Sequence, residues 1–290
     1  MAFMSGSPPF LDHCAPLLAA YDLLLCDVWG VIHNGVESFP PACEALKRAR
    51  DNGKTVLLIS NSPRPAKGVV PQLDALHVPR ESYDDMVTSG DVTSAEIRER
   101  PGQSVFHLGP PRDLPIYQGL KVELKDVETA DYVVCSGLFD DTKETPEDYR
   151  SVLERMKARG LFMLCANPDV VVERGSELVY CAGALADLYK AMGGDVLYAG
   201  KPYAPIYERT LARAQTLRGR EVPLHRVLAI GDSVRTDLTG AASLGVDFLF
   251  LTAGIHAGEI GGDADPDPKM LKLFFEENRM PKAVMHRLVW

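Results

Sequence analysis

Cys26-Asp27-Val28-Trp29-Gly30 places a carboxylate directly after the apolar run Leu23-Leu24-Leu25-Cys26. Three more segments put reactive side chains after or beside similar runs. Ser60 and Asn61 follow Val56-Leu57-Leu58-Ile59, Lys201 sits in Gly200-Lys201-Pro202, and Asp232 and Asp237 follow Val227-Leu228-Ala229-Ile230. Taken alone, an Asp at a strand end is more often a turn or cap residue. Brought to one rim, the carboxylates would repel one another unless a cation joined them, and hard oxygen donors favour Mg²⁺. A lysine and a hydroxyl beside them are what the oxygens of a phosphate would bind.

Positioning these groups requires strands that end at one edge. The four runs Leu23–Cys26, Val56–Ile59, Val227–Ile230 and Phe248–Leu251 are apolar throughout, as strands buried on both faces are. Between the first two, Ala42, Ala45, Leu46 and Ala49 share one helical face, with Pro40 and Pro41 at its start and Gly53 past its end. Strand, helix and strand at this spacing predict a βαβ unit and an α/β, doubly wound parallel sheet. In such a sheet, ligands bind beyond the carboxyl ends of the strands. The runs at 105–106, 132–135 and 162–165 repeat the theme. Thr145-Pro146-Glu147-Asp148 between them reads as a capped helix start. We therefore expect a core of residues 15–101 plus 195–290 and an inserted, smaller α/β cap domain at 102–194, hinged at Arg100-Pro101-Gly102 and Gly193-Gly194.

Bulk composition narrows the function. With 46% hydrophobic and 24% charged residues, the 290-residue chain can bury a core of roughly two domains. A formal net charge of -9 argues against nucleic acid, but one local positive site suffices for a small phosphorylated substrate. No apolar stretch approaches the roughly 18–20 residues that span a bilayer, and Met1 to Pro9 does not read as a secretion signal. Six cysteines without CxxC spacing read as buried, reduced thiols, so a cytoplasmic, non-membrane protein is expected. Near the end, Gly261 to Pro268 reads as an acidic loop, and Leu271 to Phe275 begins a helix whose Phe274 and Phe275 pack on the core.

In their order these segments resemble the four motifs of the haloacid-dehalogenase (HAD) superfamily: Asp27, then Ser60, then Lys201, then Asp232 and Asp237. The insertion, with Ala166-Asn167-Pro168-Asp169 and Gly183-Ala184-Leu185, resembles the cap of class IIA, the nitrophenyl-phosphatase-like and nucleotide-phosphatase-like branch. The resemblance covers about residues 20–255. It implies a HAD-like, Rossmann-type core and a Mg²⁺-dependent phosphatase in which Asp27 attacks phosphorus and becomes an aspartyl-phosphate. It further implies that Mg²⁺ is held by Asp27, the Trp29 backbone carbonyl and Asp232, with Asp237 in support. Ser60 and Asn61 would bind phosphate oxygens, and Lys201 would neutralise charge. Members of this branch often dimerise through the cap; the residues themselves leave a homodimer open.

One position departs from the pattern. HAD phosphatases usually carry Asp two residues after the nucleophile, as the acid that protonates the leaving oxygen; here it is Trp29. An indole exchanges no proton near neutral pH, and losing a general acid costs about 10²–10⁴ in rate. Three readings follow. The substrate has a leaving group that needs little protonation, such as an aryl or acyl phosphate; or His33 replaces the acid; or turnover is lost and the protein binds a phosphorylated ligand. A lone His in Ile32-His33-Asn34-Gly35 is, on residue type alone, more often a solvated turn residue than a catalytic one.

Overall fold

The computed structural model describes residues 8–174, 177–261, 266–277 and 279–290. The N-terminal reading therefore lies largely outside the described residues, as does the middle of the acidic loop, 262–265. The strands are β1 (Leu23–Cys26), β2 (Thr55–Ser60), β3 (Asp85–Thr88), β4 (Val105–Leu108), β5 (Tyr132–Cys135), β6 (Met163–Cys165), β7 (Val171–Arg174), β8 (Glu177–Tyr180), β9 (Val196–Tyr198), β10 (Val227–Gly231), β11 (Asp247–Leu251) and β12 (Ala283–Met285).

Two compact units are distinguished. The first takes in the chain through Ser60, Gln72–Met86 and Tyr207–Trp290; the second comprises Asn61–Pro71 and Val87–Ile206. In the first, the sheet order is β12-β11-β10-β1-β2-β3. β1 pairs in parallel with β2 and with β10, β10 with β11, and β11 with β12. The chain thus winds outward from β1 through β2 to β3, and later outward from β10 on the other side. The reversal falls between β1 and β10, where open α/β sheets leave a crevice at the strand ends.

Burial explains why these segments are strands. Every residue of β1, β2 and β10 is buried, the state in which uniformly apolar runs are stable as parallel strands. The helix Pro40–Asp51 buries Ala42, Ala45, Leu46 and Ala49, the face its 3.6-residue period marks out. At the far edge, Phe275 of the helix Pro268–Glu277 meets the Phe250 ring edge-on at 5.2 Å, so the terminal helix packs on the core as expected.

The second unit has its own parallel sheet, β4-β5-β6-β9, and its own core of Val133, Cys135, Leu153, Met163, Leu185 and Tyr189. Residue 194, set above as the end of the insertion, falls just short of β9, which pairs with β6. Thr145 and Asp148 cap each other, as the sequence predicts, but the first turn is a 3₁₀ turn before the α-helix Arg150–Ala158. The antiparallel pair β7–β8 was not anticipated, because its half-exposed residues show no clean alternation. All six cysteines are buried, and none is joined in a disulfide.

Candidate active site

Register brings the first unit's carboxylates to one rim. Cys26 lies opposite Ile230 on one side and Leu58 on the other. Asp27 therefore leaves β1 level with the end of β10, its backbone N–H donating to the Ile230 carbonyl at 2.8 Å. Asp232 follows β10 immediately, and Ser60, also buried, closes β2 at the same edge.

Asp237 arrives by a local irregularity. Val234–Leu238 forms a single turn of π-helix, capped by Ser233, whose hydroxyl accepts from the Thr236 N–H at 3.3 Å. Such wide turns recur at functional sites because they swing one side chain off the ordinary helical path. Here the turn aims Asp237 back over β10. Asp27, Asp232 and Asp237 are all buried, and each offers an oxygen within 4.8 Å of the others.

Glycines make this clustering sterically feasible. A Cβ on Gly30 would lie 2.2 Å from Asp232 Oδ2, one on Gly254 would lie 1.9 Å from the same atom, and one on Gly231 would lie 2.4 Å from Asp237 Cγ. Gly30 also has φ +80°, a backbone region that L side chains enter at a cost. Backbone donors orient the carboxylates. The Val28 N–H donates to Asp27 Oδ1 at 2.7 Å, and the Ile255 N–H donates to Asp232 Oδ2 at 2.9 Å. Gly30, Gly254 and Ile255 were missed in the sequence. The available signal was that Gly254 and Ile255 lie in the loop that follows β11, as Asp27 and Asp232 lie in the loops that follow β1 and β10.

A substitution tests this packing. Gly254→Ala should displace Asp232, lowering stability by about 1–3 kcal/mol, as overpacking does. Thermal melting with and without Mg²⁺ reads both the loss and any accompanying fall in metal-induced stabilisation.

His33 differs from the solvated turn residue its sequence context favours: it is only 2% exposed. Its Nδ1 accepts from the Gly35 N–H at 2.9 Å, and its ring meets Trp29 edge-on with centroids 5.0 Å apart. Burial depresses its pKa to about 4, so the imidazole is neutral at neutral pH. The Trp29 indole lies over Gly35, where a Cβ would come within 2.5 Å of its Cη2. Trp29 is thus packed into the 30–38 loop that follows the nucleophile candidate.

In the second unit, Asn61 and Lys201 meet at a buried node. The Lys201 N–H donates to Asn61 Oδ1 at 2.7 Å, and Asn61 Nδ2 donates to Asp169 Oδ1 at 2.9 Å and to the Lys201 carbonyl at 3.2 Å. Gly200 permits it, since a Cβ there would lie 2.3 Å from Asn61 Oδ1. The Lys201 side chain is buried. Asp169, named in the sequence only as a cap feature, is part of this node.

A family model described as haloacid dehalogenase-like hydrolase matches residues 24–123, and a second, HAD-hydrolase-like, matches residues 198–272. The crystal structure of a haloacid dehalogenase-like family hydrolase from Brucella suis 1330 is 49% identical, covering 96% of this chain and 100% of that one at a TM-score of 0.87. The chain belongs to the haloacid dehalogenase-like hydrolase family.

This HAD hydrolase is also similar to 5'-nucleotidase YutF of Bacillus subtilis (strain 168), at 24% identity over 83% of this chain and 91% of that protein. Its fold is shared with 4-nitrophenylphosphatase from Thermotoga maritima, at a TM-score of 0.67 and 22% identity, covering 92% and 95% of the two chains. The α/β fold expected from the sequence is therefore the observed one, in the class IIA type the motifs resemble. Among the described residues, no helix is long and apolar enough to cross a membrane.

Proposed function

We propose that this HAD hydrolase is a Mg²⁺-dependent phosphatase that cleaves a small phosphorylated metabolite through an aspartyl-phosphate on Asp27. The observation that carries the reading is the buried Asp27–Asp232–Asp237 cluster beside the sheet's switch point. Three converging carboxylates in a desolvated site are costly alone and suit a hard divalent cation. The named relatives, a 5'-nucleotidase and a 4-nitrophenylphosphatase, support a phosphate monoester as substrate.

In this reading Asp27, the Trp29 carbonyl and Asp232 hold the ion, with Asp237 in support, and the bound ion supplies charge neutralisation for the transferred phosphoryl group. Asp27 attacks phosphorus, the ester oxygen leaves, and water then hydrolyses the acyl phosphate to restore the carboxylate. Ser60 and Asn61 hydrogen-bond phosphate oxygens, and Lys201 neutralises their charge, roles assigned by motif match. The insertion at residues 102–194 selects the substrate as a cap. Six buried cysteines outside any disulfide suit a reducing compartment, which supports a cytoplasmic location.

Protonation of the leaving oxygen remains the distinctive step. His33 is neutral, and its Nδ1 already accepts from Gly35, so its surroundings favour a role in shaping the loop over one in donating a proton. A leaving group that departs without help, an aryl or acyl phosphate, fits Trp29 best. The alternative, a phospho-ligand-binding protein without turnover, rests on that same residue.

The test is phosphate release from an aryl and an alkyl phosphate in parallel, with Mg²⁺ and with chelator. We expect Mg²⁺-dependent turnover of the aryl ester, abolished by chelator, and alkyl turnover slower by about 10²-fold or more. Release from neither ester, alongside stabilisation by phosphate analogues, would instead identify a binding protein.

A further inference from the structure

Outside the carboxylate cluster, one partly exposed hydrogen-bonded chain has no role in the reading above. His256 Nε2 lies 3.2 Å from the backbone nitrogen of Val234, the first residue of the π-helical turn. A backbone N–H can only donate, so Nε2 presents its lone pair. A ring proton is then on Nδ1, which faces Glu259 Oε1 at 2.6 Å. Glu259 selects the tautomer, and the tautomer makes His256 an acceptor.

This chain is linked to both carboxylates of the fourth motif through backbone neighbours. Ile255, adjacent to His256, donates its N–H to Asp232 Oδ2, while Val234 begins the turn that carries Asp237. At the start of the turn the Ser233 carbonyl accepts from the Leu238 N–H at 3.0 Å, and the Val234 carbonyl accepts from the Thr239 hydroxyl at 2.7 Å. The Ser233 N–H reaches Asp237 Oδ2 at 3.3 Å, and the Asp237 N–H reaches the Ser233 carbonyl at 3.1 Å. The His256 ring is itself held, packed against Phe274 at 5.2 Å and Phe250 at 6.2 Å.

We propose that His256, oriented by Glu259, is a positioning residue that sets the Val234–Leu238 turn so that Asp232 and Asp237 present their carboxylates together to Mg²⁺. The inference rests on the metal reading of the cluster. Groups that orient metal ligands through hydrogen bonds typically change metal affinity 10–100-fold when removed, and His256 acts on the ligands through the Val234 backbone.

The experiment is Mg²⁺ binding to the full chain by calorimetry, with a melting curve for each variant. His256→Ala should weaken the Mg²⁺ Kd by about 10-fold or more. His256→Gln, whose amide oxygen can accept the same N–H, should recover most of that loss. Phe274→Leu, which trims the ring's packing and leaves the hydrogen bond, should stay within about twofold of the native affinity.

Native-like affinity in folded His256→Ala would overturn the proposal. So would an equal loss in Phe274→Leu, because packing alone would then explain the effect. Should the Ala variant fail to fold, Glu259→Ala carries the test, since it removes only a largely exposed carboxylate and should still weaken Mg²⁺ severalfold. Absence of Mg²⁺ binding by the native chain itself would instead sink the metal reading.

Discussion

Asp27→Asn should lower phosphate release from an aryl phosphate by about 10⁴-fold or more, the scale on which removal of a covalent nucleophile acts. The amide is nearly isosteric and can still meet the Val28 N–H, so the loop after β1 should hold its shape. Charge, rather than packing, is what changes. Asp27 shares a buried cluster with Asp232 and Asp237, and removing one of three like charges relieves their repulsion when no cation is present. The metal-free variant should therefore melt at or above the native temperature, while the increase produced by Mg²⁺ shrinks. That combination separates loss of a nucleophile from loss of fold. An Asn variant retaining native turnover would remove Asp27 from the reaction.

Trp29→Asp should raise turnover of an alkyl phosphate by about 10²–10⁴-fold, the range a positioned general acid supplies. The aryl ester should gain much less, since its leaving oxygen needs little protonation. The gain accompanies a structural loss, because the indole lies over Gly35 and against the His33 edge. Removing a half-buried aromatic ring from that loop should cost about 1–2 kcal/mol of stability, read in a urea melt. Alkyl turnover unchanged in a folded variant would mean that the proton reaches the leaving oxygen by another route. If the aryl and alkyl esters rise together, the indole was blocking access, and acid catalysis was not the missing element.

The two substitutions address different parts of the loop after β1. Asp27 sits where the parallel register with β10 places it, at a depth shared with Asp232. Trp29, two residues on, is turned into the 30–38 segment, where His33 is buried and accepts from Gly35. The residue pattern around His33 predicts a solvated turn, because a histidine between an apolar residue and Asn-Gly is usually at the surface. Burial came from the Trp29 ring and from the bridges His33 makes with Trp29 and Ser38. Those contacts depend on how the loop folds back on itself.

Residue pattern alone left the sheet's outer strands β3 and β12 unmarked, but it marked β1, β2, β10 and β11, the helix that follows β1, and the order of four strand-end motifs. Each of these is local: a run of apolar residues, a 3.6-residue period, or a polar residue placed just after a strand. The same locality named Asp27, Ser60, Lys201, Asp232 and Asp237 as candidates. That Asp27 meets Asp232 and Asp237 follows from strand order and register, which fix which strand ends become neighbours. Packing also requires glycine at 30 and 254, since the atom that would clash belongs to Asp232, on a different strand end from either. The π-helical turn and the His256 bond to Val234 are likewise products of packing, as no periodicity within residues 232–238 distinguishes a π turn from the start of an α-helix. A chain's local pattern sets which elements form, whereas side-chain contacts across hundreds of residues depend on the arrangement those elements adopt together.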